Sequence, residues 1–371
     1  MGELILALNA GSSTLKCGLF ERAGGAPAPL GATTLKTHGR VSMPAAVGEL
    51  LAWARDLSPG GTIAAVGHRI VHGGGRFTGP VRITEAVLGE IEGLSPLAPL
   101  HQPQGVAAVR AVAAALPGAP QSASFDTAFH RTQPAVAAWM ALPRDLHDRG
   151  LRRYGFHGLS YQYVWSRLAA LDPALARGRV LAAHLGSGAS LCALQAGRSI
   201  DTTMGFSPLD GLVMGTRPGS LDPGAVLYLL QQEKMGPGQV EDLLYHRSGL
   251  AGVSGVSGDM QTLLASASPA AAEAVELFVY RAAREAGALA SVLGGVDGVI
   301  FTGGIGEHSA EIRRRICARL AWLGLELDEG ANARGGEGRI SRPASAVQAW
   351  VIPTDEERVI AAETLLTVFP G

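Results

Sequence analysis

The sequence is poor in three things: cysteine, clustered charge and long apolar runs. Its three cysteines, Cys17, Cys192 and Cys317, lie far apart and show no CxxC spacing. That argues against a disulfide framework or a structural zinc and suits a reducing compartment. Cys17 and Cys192 fall in strand-like runs, where a thiol acts as a small apolar filler. Lys and Arg number 31 against 32 Asp and Glu, scattered along the chain, for a net charge of −1. The long-range field of a nucleic-acid binder is therefore missing. No segment reaches the ~20 apolar residues a membrane helix needs. The start of the chain also lacks a basic stretch leading into a long apolar one. A cytoplasmic location, with no nucleic-acid or membrane partner, is expected.

Hydrophobic residues make up 47% and charged residues 17% of the chain, which suits a compact globular protein. At 371 residues it predicts two domains of fewer than 200 residues each. The 50 glycines gather in short clusters between apolar runs, a sign of many tight turns, some able to wrap a ligand.

Leu4 to Leu8 ends in Asn9-Ala10-Gly11-Ser12-Ser13-Thr14, and Leu15 to Phe20 follows: strand, tight turn, strand. Val180 to Ala183, His184-Leu185-Gly186-Ser187-Gly188-Ala189-Ser190 and Leu191 to Leu194 repeat the pattern. The two agree at Gly11/Gly186, Ser12/Ser187, Cys17/Cys192 and Leu19/Leu194, which points to a duplicated domain. Elsewhere strands alternate with helices, as in an α/β fold. Helices are expected over 45–57, 104–116, 160–171, 269–293, 310–323 and 356–366, and strands over 63–71, 122–125, 296–302 and 350–352. Linkers are expected at 24–31, around 143–153 and at 330–339.

A phosphate tail needs close backbone approach and several N–H donors, so Gly and small hydroxyl residues belong at such turns. Residues 9–14 meet that need, and Lys16 adds a cation. The bland alternative is a plain hairpin. Gly303-Gly304-Ile305-Gly306 lies between a strand and a helix, where a nucleotide could rest against the backbone; a strained turn is the alternative. The spacing is not that of a dinucleotide-binding fold, and no Walker A motif is present.

Arg69 is a charge within an apolar strand, and Arg217 sits in a Gly/Pro turn. Each offers a planar fork for carboxylate or phosphoryl oxygens, or else a structural salt bridge. Asp126 could order a substrate, accept a proton or cap the next turn. His157 lies among glycines and aromatics, where packing is the ordinary role. His68, His72 and His101 lack metal-ligand spacing.

Together these stretches resemble the acetate kinase family. Ala7-Leu8-Asn9-Ala10-Gly11-Ser12-Ser13-Thr14-Leu15-Lys16 looks like its first signature and Gly67-His68-Arg69-Ile70-Val71-His72-Gly73-Gly74 like its second. Leu97 to His101, Phe125 to His130, Arg153 to Gly158, Met214 to Arg217, Phe301 to Glu307 and Ile352 to Glu357 complete the series in family order. The resemblance implies an α/β fold of two duplicated actin-like (ribonuclease H-like) domains with an interdomain cleft. It places residues 1–127 with 357–371 in the first and 128–356 in the second. It further implies reversible transfer of the ATP γ-phosphoryl group to acetate, giving acetyl phosphate and ADP, with Mg²⁺ or in its place Mn²⁺, in a homodimer.

By motif match, Asn9 and Glu356 fall where the family handles the metal, and Ser12, Thr14 and Lys16 fall on the phosphate loop. Arg69 and Arg217 match the arginines at the transferring group, Asp126 the catalytic acid and His157 the transition-state histidine. Val71, Leu100 and Pro208 match the pocket for the acetate methyl. His184, Leu185, Gly186, Ser187 and Gly188, then Asp259, Met260 and Gln261, then Gly303, Gly304, Ile305, Gly306 and Glu307, match the nucleotide segments.

Four positions depart from the family pattern: Ser187 for Asn, Ser220 for Asp, Gln261 for Arg and His308 for Asn. Three of them fall on the nucleotide side, so differences are expected there rather than at the transferring group. The competing readings are a kinase for propionate or another short acid, one with a different phosphoryl donor, and a nucleotide-binding regulator without turnover.

Overall fold

The computed structural model describes residues 2–11, 14–22, 25–36 and 42–370; Ser12, Ser13 and Gly24 lie outside them. The chain forms two units. One comprises Met1–Arg131, Phe156–Tyr163 and Asp355–Gly371, and the other Thr132–Gly155 and Val164–Thr354.

The first unit is built on β1 (Glu3–Ala10), β2 (Thr14–Glu21), β3 (Ala28–Lys36), β4 (Thr62–Ile70), β5 (Val81–Arg82) and β6 (Gln121–Phe125). Their order across the sheet is β3-β2-β1-β4-β6-β5. Strands β1, β4 and β6 run parallel, and β2, β3 and β5 are antiparallel to their neighbours. Residues of β1 alternate between two covered faces, so the strand reads as a continuous apolar run. Leu4, Leu6 and Leu8 face helices Met43–Leu57 and Gln102–Ala115 through Val47, Leu50, Ala108 and Val112. Ile5 and Ala7 face helix Glu356–Val368 through Val359, Ile360 and Ala361. Gly67 permits that second packing: a Cβ there would lie 2.0 Å from Thr364 Oγ1 and 2.6 Å from Ile360 Cγ2.

The second unit contains β7 (Arg179–Leu185), β8 (Ala189–Gln195), β9 (Arg198–Thr202), β10 (Gly298–Thr302), β11 (Gly338–Arg339) and β12 (Gln348–Val351). Its order, β11-β12-β10-β7-β8-β9, is that of the first sheet read from the other edge. Here too the first, fourth and sixth strands are parallel and the rest antiparallel to their neighbours. The expected duplicated α/β fold is present. Helix Pro269–Leu293 buries Ala274, Val275, Phe278, Val279 and Ala282 and ends at Gly294 in the left-handed conformation.

Three local expectations change. Leu15 pairs with Ala10, whereas Ala189 pairs with Leu185, so the second hairpin turns one residue sooner. The overlay of Cys17 on Cys192 therefore does not survive in the pairing, because one residue of slip exchanges the faces. Residues 28–31, expected in a linker, open β3, and residues 330–339 hold most of helix Glu329–Arg334 and all of β11. The turn expected at 303–306 is a helical segment, Gly303–His308. Among the described residues no helix is long and apolar enough to cross a membrane.

Candidate active site

The alternation of β1 places Asn9 on the same face as Ile5 and Ala7, hence toward helix Glu356–Val368. Lys16 lies directly opposite Asn9 on β2. Arg69 follows Gly67 on the same face of β4, and Asp126 comes just past the end of β6. Three parallel strands thus deliver polar residues to their carboxyl ends, the usual place for a ligand in such sheets.

These side chains form one connected cluster. Arg69 donates from Nε and Nη2 to the two carboxylate oxygens of Asp126 at 2.9 and 2.6 Å. Its Nη1 donates to Asn9 Oδ1 at 3.1 Å. Asn9 Nδ2 donates to Glu356 Oε2 at 2.8 Å and to Glu357 Oε1 at 2.9 Å. Arg69 Nε also lies 4.0 Å from Glu356 Oε2. Glu357 was not singled out from the sequence. Its signal was position: the first turn of a helix beginning at 356 can turn two successive carboxylates toward one amide.

Burial sets the charges. Asp126 is 1% exposed, and burial pushes its carboxyl up; the Arg69 fork pulls it back, Glu356 adds to the rise, and the His157 N–H opposes it. Burial also works against the Arg69 charge, but Asp126, Glu356 and Glu357 outweigh it and raise the guanidinium above its usual value. Glu357 is pushed up by burial and then by Glu356, against the Asn9 amide and Lys16.

His157 has a φ of 58°, in the left-handed region that a non-glycine residue enters at a cost. Its neighbours hold it there. His130 Nε2 bonds the Phe156 carbonyl at 2.8 Å, and the Gly158 N–H donates to the Asp126 carbonyl at 3.1 Å. A Cβ on Gly158 would lie 2.0 Å from that carbonyl oxygen. Of the residues matched to the methyl pocket, Val71 is buried just after β4, Leu100 is half-buried before helix Gln102–Ala115, and Pro208 lies in the second unit. Thr14 closes its hairpin by accepting from the Gly11 N–H at 2.8 Å.

The same unit hides three histidines. Gln121 accepts from His68 at 2.7 Å, His72 Nδ1 accepts from the Gly74 N–H at 2.9 Å, and His130 is held as above. Burial pushes each down to about 4, against partial support from Gln121 for His68 and the Phe156 carbonyl for His130. A histidine with a depressed folded-state value contributes stability above about pH 6.5, and that contribution is lost as pH falls toward 4. Each is expected to cost roughly 2 kcal/mol at pH 5. Asp126 and Glu357, with raised carboxyls, act in the opposite sense. Thermal unfolding from pH 7.5 to 5 should show a falling midpoint for the wild type and a shallower fall for His68→Gln. Equal slopes would sink the assignment.

In the second unit, Gly186 closes the β7–β8 turn by donating to the Gly188 carbonyl at 3.0 Å. Gly215 donates to the Ser187 carbonyl at 3.0 Å, tying the Met214–Arg217 turn to that hairpin. Thr302 lies beside His184 across the sheet, and Leu185 is buried below. Gly303 starts its helix at φ 76°, and a Cβ there would sit 2.8 Å from the Leu185 carbonyl oxygen. The hairpin, the arginine turn and the glycine-rich segment therefore converge.

Two matched residues do structural work. Glu307 Oε1 accepts from the Gly303 and Thr354 N–H groups at 2.9 and 3.1 Å. Asp259 caps helix Met260–Ala265 by accepting from the Thr262 N–H at 2.8 Å; Met260 is buried and Gln261 exposed. Ser220 donates to Asp210 Oδ1 at 2.9 Å, while Arg153 holds Asp210 Oδ2 at 2.8 Å. Arg217 Nη1 donates to the Pro208 carbonyl at 2.7 Å, and among the described residues no carboxylate pairs with it.

Residues 49–362 match the model of the acetokinase family. An acetate kinase of Rhodopseudomonas palustris is 51% identical, with 97% of each chain aligned. The crystal structure of Porphyromonas gingivalis acetate kinase superposes with a TM-score of 0.86 at 35% identity, covering 99% of this chain and 100% of that one. A propionate kinase from Francisella tularensis gives 0.86 at 34% identity, over 98% and 100%. The chain belongs to the acetokinase family.

Proposed function

We propose that the protein catalyses reversible, metal-dependent transfer of the γ-phosphoryl group of ATP to acetate, giving acetyl phosphate and ADP. The observation that carries this reading is the connected cluster of Asn9, Arg69, Asp126, Glu356 and Glu357 at the strand ends of a family member. Acetate is already an anion at neutral pH. Its oxygen bonds to the γ-phosphorus as the bond to the β-phosphate oxygen breaks, and no proton has to move. The protein must therefore align donor and acceptor and neutralise charge.

Arg69 and Arg217 present guanidinium donors to the acetate carboxylate and the transferring group, and His157 adds a donor on its constrained backbone. Asp126 serves by holding the Arg69 fork. Thr14 and Lys16, with Ser12 assigned there by motif match alone, contact the phosphate tail, and residues 184–188, 259–261 and 303–307 contact the nucleotide. Asn9, Glu356 and Glu357 form a set of hard oxygen donors, with two carboxylates on a single amide, which fits Mg²⁺ and also Mn²⁺. Held there, such an ion would supply positive charge that offsets the charge of the phosphate oxygens.

Incubating the protein with Mg-ATP and acetate, propionate or butyrate, and trapping acyl phosphate as hydroxamate, tests the proposal. Acetate should lead and propionate follow at about a tenth of its kcat/KM, since a small apolar wall discriminates by roughly 1–3 kcal/mol per methylene. No product with any acid or phosphoryl donor would overturn it. A lead for propionate would favour the second reading, which the resemblance to the Francisella enzyme supports. A cytoplasmic homodimer is the expected state. Helix Pro223–Gln231 buries none of its residues although 225–230 are apolar, and sedimentation showing a monomer would refute the dimer.

A further inference from the structure

We infer, on the reading that ATP lies against residues 303–307, that Arg313 is a positioning residue which fixes that segment from behind and sets the affinity for nucleotide. Arg313 is 1% exposed and, among the described residues, has no carboxylate partner. A buried guanidinium without a counter-ion is costly, and an apolar side chain would ordinarily serve better in a core. What it holds accounts for its presence. Nη1 donates to the carbonyls of Gly306 and Glu307 at 2.9 and 2.8 Å. Nε and Nη2 donate to Asn332 Oδ1 and to the Asn332 carbonyl, both at 2.8 Å. Asn332, 2% exposed, is anchored in turn by donating to the Ala310 carbonyl at 2.9 Å.

The segment needs such a clamp. Three of its six residues are glycine, each costing a helix about 1 kcal/mol relative to alanine. Gly303 and Gly306 pack closely, against the Leu185 carbonyl oxygen and the backbone of Phe301. Gly304 differs: it is exposed, and a Cβ there would meet no atom within 4 Å. Its N–H lies beside the β7–β8 turn, 3.8 Å from where Gly186 would carry a Cβ. Arg313 thus holds the back of a short helix whose open side is the backbone at Gly304. A backbone group that loses its alignment forfeits on the order of tenfold in affinity for each hydrogen bond lost to the ligand.

The test compares Asn332→Ala, Arg313→Met, Arg313→Lys and Gly304→Val. Thermal unfolding establishes folding, calorimetry measures ADP affinity, and kinetics give separate KM values for ATP and acetate. Asn332→Ala, the mildest back-side change, should raise the ATP KM and the ADP dissociation constant about tenfold. The acetate KM and kcat should stay within about threefold. Arg313→Met should weaken nucleotide more, about 10²-fold if two aligned hydrogen bonds are lost, with Arg313→Lys recovering part of the loss. A folded Asn332→Ala with wild-type nucleotide affinity, or with ATP and acetate KM values raised equally, overturns the inference. Gly304→Val separates the parent reading: its side chain enters open space, so the fold should hold while nucleotide binding falls. Unchanged binding in that variant refutes the placement of ATP itself.

Discussion

Arg69→Ala is expected to lower kcat by at least 10²–10³-fold, the usual effect of deleting one preorganised donor at developing charge, and to destabilise the fold by about 3–5 kcal/mol. The two losses share a cause. Arg69 forms a two-pronged pair with Asp126 and also holds the oxygen of Asn9. Without it, Asp126 is a carboxylate sealed from water with no counter-ion, and the Asn9 amide oxygen loses the donor that Arg69 supplies. Burial already pushes the Asp126 carboxyl up, so the variant should relieve itself by taking a proton. A raised folded-state value favours stability as pH falls, so the gap in melting temperature between variant and wild type should narrow from pH 8 to pH 6. Arg69→Lys keeps the charge and loses the fork; it should recover most of the stability and little of the rate. An Arg69→Ala enzyme within tenfold of wild-type kcat would refute the role.

Arg217→Ala should show the opposite combination, with a similar loss of rate and almost no loss of stability. Arg217 is held by one carbonyl rather than a carboxylate. Burial pushes its guanidinium down to about 10, with Tyr245 pulling the other way, so it is still charged at neutral pH. Its desolvation is therefore poorly compensated until an anion arrives, and truncation removes a burden along with a bond. The melting temperature should stay within about 3 °C of wild type. Acetyl phosphate should stabilise the wild type and hardly affect the variant, because only binding to the native state raises its stability. Retention of a tenth of wild-type kcat, or a collapse of the fold, would count against this picture.

The contrast between the two arginines was invisible in the sequence, where both read as a planar fork beside a turn. Spacing says which residue types recur; it does not say which charge is already satisfied. The gathering of Asn9, Arg69 and Asp126 was more accessible, because strand alternation puts Asn9 with Ile5 and Ala7, and Arg69 with Gly67. The longest periodic element, helix Pro269–Leu293, was readable to the residue, and the shorter helices to within a few residues at their ends. Edge strands were not. The segment Ala28–Lys36 is rich in small and polar residues, and pairing with β2 organises it rather than its own pattern. The helix at 303–308 failed for the same kind of reason. Its glycines forbid it locally, and the groups that rescue it, Glu307 and Arg313, act through contacts no local pattern reveals.

Helix Glu356–Val368 also imposes an order in time. It covers one face of the first sheet and brings Glu356 and Glu357 to Asn9, yet it is made after the rest of that sheet has left the ribosome. About 220 residues separate Arg131 from Asp355, which at about 5–20 residues per second amounts to roughly ten to forty seconds of synthesis. Through that interval Ile5, Ala7 and Phe20 lack the helix that buries them, and the second unit is made in full before it arrives. The carboxylates proposed to hold the cation arrive last. A chain that stops short, or loses its tail to a protease, therefore keeps its arginines but lacks the groups proposed to bring the metal to ATP.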